Sequence, residues 1–142
     1  RLDEIRSALG LSQMKRLDKS NDLRKKASDY YTSQLSGIKG IIPPLDSKNN
    51  ENSFHLYIIR ITKDFPITRD VLFKKLLENG IRTSVHYKPL NQFTLFKKMA
   101  KSYDKLKISD MLYDEILSLP MYPTIRKSDQ NYVIKNIKNG II

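Results

Sequence analysis

The chain has 142 residues, with 26 Lys+Arg against 15 Asp+Glu for a formal charge of +11, no cysteine, and two histidines, His55 and His86. That length suits one ordinary domain with a modest core; lack of cysteine excludes disulfides, thiolate metal sites and cysteine nucleophiles, and two histidines argue against a His-rich metal site. No apolar run spans a bilayer and residues 1–17 hold no signal-peptide core, so a soluble cytoplasmic chain without membrane partners is expected, whose charge favours anions although its lysines are scattered like those of a solvated surface.

Leu2, Ile5, Ala8 and Leu9 recur at helical spacing, and Leu11, Met14 and Leu17 resume the pattern after Gly10. The glycine marks a bend or a close approach of another backbone. A longer helix is read over 21–35, with Asn21 as its cap and Leu23, Ala27, Tyr30, Tyr31 and Gln34 on one side. Gly37 and Gly40 end it, and Pro43-Pro44 leads into a polar surface loop over 46–53. Residues 54–61 are the best strand, with His55, Tyr57, Ile59 and Ile61 facing one way and Leu56, Ile58 and Arg60 the other. Thr68 caps a helix over 69–79 that buries Leu72, Leu76 and Leu77 and stops at Asn79-Gly80, with Ile81 folding back onto its end. Thr83 to Tyr87 is predicted as a second strand, closed by Pro89, and a loop then leads to a short helix near 93–99. Ser109 is read as the cap of a helix carrying Met111, Leu112 and Ile116. Leu119 to Pro123 is irregular because proline lacks a donor, and Ser128 caps a last helix stopped by Gly140.

These elements suggest an α/β protein of the α+β type, with a small, mostly antiparallel sheet packed with helices. Residues 1–36 read as connector helices that expose apolar surface unless a partner covers them. Residues 37–142 read as a small α/β domain.

No phosphate-binding glycine loop or nucleophile elbow occurs, and no pair of carboxylates suggests acid and base. The densest polar cluster is Arg82 to Lys88. On a strand, Arg82, Ser84, His86 and Lys88 share a side, giving a grip for phosphate or another anion. A solvated edge strand has the same pattern. His55, Tyr30, Tyr31 and Tyr122 read as structural residues. The basic stretch from Lys15 to Lys26 lacks the interleaved aromatics of a single-strand binder.

Several segments together resemble one family. Arg1 to Met14 with Leu17-Asp18 is similar to the stretch that opens the C-terminal part of DegT-type aminotransferases. Arg24 to Tyr31 resembles the family's linking helix, and His55 to Arg60 its first small-domain strand. Arg69-Asp70, Leu76, Gly80-Ile81, Thr83 and His86-Tyr-Lys-Pro-Leu90 follow in order, then Leu119-Pro-Met-Tyr-Pro123. Each motif is weak alone, but their order covers nearly the whole chain. With no initiator methionine before Arg1, the chain is expected to be the rear of a longer protein.

The resemblance implies a fold-type-I, pyridoxal-phosphate sugar aminotransferase. It would act as a homodimer on nucleotide-linked keto-sugars for amino-sugar and surface-polysaccharide synthesis, with an amino acid as donor. It also implies that the Schiff-base lysine, and the aspartate that pairs with the cofactor's ring nitrogen, lie upstream of Arg1. No catalytic residue, bound cofactor or transaminase activity is therefore expected of this chain alone. Arg1 would approach the cofactor phosphate of a neighbouring subunit. His86 and Tyr87 would line the sugar-nucleotide pocket, with Arg82 and Lys88 beside them. Many relatives carry a histidine where this chain has Asn91, which cannot titrate near neutral pH. A dehydratase of the same fold and a non-catalytic module for nucleic acid are the competing readings.

Overall fold

The computed structural model describes residues 2–46, 50–99 and 106–140. Helix α1 spans Glu4–Met14, and its N-cap Asp3 accepts a hydrogen bond from the Arg6 amide at 2.8 Å. It runs through Gly10 without a break, and a side-chain carbon there would meet nothing within 4 Å. Among the described residues, Gly10 thus marks no close approach of another backbone. No residue of α1 is buried.

Helix α2 spans Leu17–Leu35 and begins earlier than its sequence suggests. The Ser20 amide donates to the Arg16 carbonyl at 3.0 Å, closing the first turn upstream of Asn21. Asn21 is therefore inside the helix and caps nothing, while Arg16 at the N-cap offers no side-chain bond. Ala27 and Tyr31 are buried as expected, but Ser28 and Leu35 are buried with them while Leu23, Tyr30 and Gln34 are only half-buried, so the buried face is turned from the expected one.

Three short strands form an antiparallel sheet in the order β1-β2-β3. They are β1 (Ile41–Ile42), β2 (Tyr57–Ile61) and β3 (Ile116–Leu119). Tyr57, Ile59 and Ile61 of β2 are buried, as alternation predicts. Tyr57 pairs with Leu119, and Ile59 with Leu117. β2 is shorter than expected because Phe54 turns in with φ 46° and is buried, while Phe54, His55 and Leu56 lie outside the strand.

The other expected strand, Thr83 to Tyr87, is reduced to one bridge between Ser84 and Ser118. The third strand of the sheet is instead β3, formed by residues read as a helix end and an irregular segment. The chain turns extended at Ile116, the C-cap of helix α5 (Lys107–Glu115). Ser109 lies inside α5, whose N-cap is Leu106 with no side-chain bond.

Helix α3 (Arg69–Glu78) follows β2, and Thr68 caps it by accepting from the Val71 amide. Leu72 and Leu76 are buried, but Leu77 is 52% exposed, because it lies beyond the stripe that meets the core. Gly80 takes φ 72°, and the Ile81 amide bonds the Leu76 carbonyl at 2.9 Å. Helix α4 (Thr94–Met99) follows a 3₁₀ turn over Leu90–Gln92. Helix α6 (Lys127–Asn139) ends the fold; its N-cap is Arg126, so Ser128 is already helical.

Tyr31 and Leu35 of α2, Leu72 and Leu76 of α3, and Val133, Ile134 and Ile137 of α6 join the buried face of β2 and β3 in one core. The opposite face of the sheet meets α5, where the Arg60 guanidinium approaches the Glu115 carboxylate at 2.7 Å. The α+β class with a small antiparallel sheet therefore holds.

Burial dominates the core's ionisable groups. Tyr31 and Tyr57 stack with ring centroids 5.0 Å apart. Desolvation pushes both phenols up, Tyr57 to about 12.

Candidate functional site

The turn at Gly80 sends the chain from α3 back to the outer edge of β3, and the candidate residues follow it. Ser84 fixes the segment: its amide donates to the Ser118 carbonyl at 3.2 Å, and the Ser118 amide donates to its carbonyl at 2.8 Å. Val85 packs on the core. His86 is half-buried, with Nδ1 at 2.9 Å from the Ser118 Oγ. Tyr87 is 76% exposed and sits edge-on to the His86 ring at 4.7 Å. The exposed Lys88 ammonium lies 5.6 Å from the centre of the Phe93 ring. Arg82 is exposed at the start of the segment.

The far end of the segment is held from α5. Asp110 accepts from the Gln92 amide at 2.7 Å and the Asn91 amide at 3.1 Å. These bonds favour the ionised form, so the Asp110 carboxyl is held below its usual range. Asn91 is thus turned toward α5, and its Oδ1 is buried without a partner among the described residues.

Arg69 fixes the junction of α5 and β3. It is buried, and it donates to the Ile116 carbonyl at 2.9 Å and to Asp70 at 2.6 Å.

The segment therefore presents Arg82, Tyr87 and Lys88 outward and His86 partly outward. Arg1 lies outside the described residues. The sequence did not reveal Ser118, Asp110 or Gln92 as supports. The signal for Ser118 was a lone hydroxyl between Leu117 and Leu119 in an apolar run. Every described lysine is exposed. Among the described residues there is no group of His, Asp and Glu that could hold a metal, and no helix long and apolar enough to cross a membrane.

A three-stranded antiparallel sheet backed by helices, with a helical arm ahead of it, is shared with solved sugar aminotransferases. Helicobacter pylori PseC, an aminotransferase of pseudoaminic acid biosynthesis, superposes with a TM-score of 0.88 at 28% identity over 99% of this chain and 38% of its own. Spr1654 from Streptococcus pneumoniae, solved in its PLP-form, gives 0.88 at 26% identity over 99% of this chain and 36% of its own. The DegT/DnrJ/EryC1/StrS aminotransferase family model matches residues 1–138, and the chain belongs to that family. The UDP-4-amino-4,6-dideoxy-N-acetyl-beta-L-altrosamine transaminase of Campylobacter jejuni is 30% identical over 94% of the chain. The chain spans 35% of that relative's length.

Proposed function

We propose that this chain serves a pyridoxal-phosphate-dependent aminotransferase acting on a nucleotide-linked keto-sugar, and supplies it with substrate-binding and subunit contacts. The observation that carries this reading is the outward-facing cationic segment Arg82–Lys88, held against the sheet in a member of this family. A nucleotide sugar carries a diphosphate, and arginine, lysine and histidine N–H groups are its natural donors. Tyr87 offers an exposed ring for the sugar or base. The relatives named as transaminases of UDP-linked sugars support the same substrate class.

The described residues do not form a cradle for the cofactor. A Schiff-base lysine works in a desolvated pocket, and every described lysine here faces solvent. No step of the amino transfer is therefore assigned to them; this chain's part is to bind and orient. Arg1 remains the proposed contact to the cofactor phosphate of a neighbouring subunit. Residues 1–36 are the proposed connector, and Ile5, 84% exposed, is one of the apolar side chains it would lay on a partner surface. A homodimeric, cytoplasmic enzyme completes the proposal.

Steady-state kinetics of the intact enzyme test it. His86→Gln and Lys88→Ala should each raise the KM for the nucleotide sugar by about tenfold or more, the weight of a charged hydrogen bond, and leave the KM for the amino donor unchanged. Equal losses for both substrates, or none, would overturn the reading. So would nucleic acid that stays bound at about 200 mM salt in a mobility-shift titration.

A further inference from the structure

We infer that Ser118 is a positioning residue that holds His86 in the tautomer with its proton on Nε2, so that the ring offers an N–H to an anionic oxygen while uncharged. The inference rests on reading residues 82–88 as ligand-facing and says how one of them acts.

Ser118 is 4% exposed, on a strand between two buried leucines. Its amide and carbonyl are both engaged by Ser84. Among the described residues, the hydroxyl has one hydrogen-bond partner, His86 Nδ1 at 2.9 Å. A hydroxyl can donate or accept, so that distance alone leaves the proton unassigned. Burial assigns it. If Nδ1 carried the proton, the Ser118 hydrogen would be left without an acceptor away from water. That penalty disfavours the arrangement by about tenfold or more. The hydroxyl therefore donates, Nδ1 accepts, and the neutral ring keeps its proton on Nε2. The Ser84 rung anchors the backbone two residues before the ring, and the Tyr87 ring meets it edge-on at 4.7 Å.

A neutral imidazole held this way has its acceptor nitrogen occupied by protein and its donor nitrogen free. It suits a phosphate or diphosphate oxygen and has no acceptor left for a ligand hydroxyl. The preference does not depend on ring protonation, because the cation also carries a proton on Nε2.

Nitrogen-15 NMR of the full chain at about pH 9, where imidazoles are neutral, reads the tautomer directly. The exposed His55 is the internal reference and is assigned with His55→Gln. His86 should show a protonated Nε2 and an unprotonated Nδ1. Ser118→Ala should move both signals toward the mixed values of His55, and Ser118→Thr, which keeps the hydroxyl on a β-branched strand residue, should restore them. Inorganic pyrophosphate should shift Nε2 in the native chain and bind Ser118→Ala about three- to tenfold more weakly. A protonated Nδ1 in the native chain overturns the inference without any variant, as does a tautomer ratio unchanged in Ser118→Ala. A correct tautomer with Nε2 unmoved by pyrophosphate overturns the ligand-facing reading instead, so the two failures are told apart.

Discussion

Helices α1 and α3 have 11 and 10 residues, and each opens with a side-chain cap, Asp3 and Thr68 respectively. Their sequences promise similar amphipathic helices. Yet α3 buries Leu72 and Leu76 completely, and α1 buries nothing, with Ile5, Leu9 and Met14 all exposed. The difference lies outside both helices: α3 packs against α6 and β3, whereas among the described residues the one substantial packing partner of α1 is α2. A cap and an apolar stripe decide where a helix begins and which side it offers. Whether that side adds to stability depends on what lies opposite.

The sharpest way to break this comparison is to truncate one leucine in each helix. Leu72→Ala should cost about 2–5 kcal/mol in urea unfolding, through lost burial and the cavity left behind. Leu9→Ala, at an exposed position, should leave the midpoint nearly unchanged. A large loss in Leu9→Ala would show that α1 is packed in solution.

The core side of the comparison also has a pH signature. The Tyr57 phenol is pushed to about 12 in the fold against about 10 when unfolded. The unfolded chain therefore releases its proton first as pH rises. Stability is complete below about pH 10 and falls between about 10 and 12. Stopped-flow phenolate absorbance should show a slow fraction that ionises only with unfolding, and Tyr57→Phe should shrink it. Helix α1 contains no tyrosine and adds nothing to this transition.

The caps give the smallest contrast. Thr68→Ala should lower global stability by about 1 kcal/mol. Asp3→Ala removes an equivalent bond but should only speed amide exchange within α1, leaving the global midpoint in place.

Much of this fold was legible in the sequence wherever a pattern ran long enough. β2 announced its face through alternation, and α3 through Thr68, its leucines and Gly80. The failures have physical causes. Two residues of β1 carry no period at all. Met111, Leu112 and Ile116 fit a helical stripe, so the switch to β3 at Ile116 was hidden; that strand is fixed by Arg69 and by pairing with β2, both distant in sequence. Asn21, Ser109 and Ser128 are good capping types lying inside helices whose ends packing placed elsewhere. At the site, Arg82 to Lys88 stood out by composition. Their supports did not, because Ser118 and Asp110 act through contacts 32 and 18 or 19 residues away.

The single rung between Ser84 and Ser118 is made only of backbone atoms, which every residue but proline carries. A ladder of several rungs would have locked the whole segment into the pleat and dictated alternate side chains. One rung leaves exposed positions such as Tyr87 and Lys88 free to vary in size and charge, while Val85 keeps its place on the core. The segment is a replaceable fitting on a fixed mount, so relatives could change what they recognise without learning to fold again.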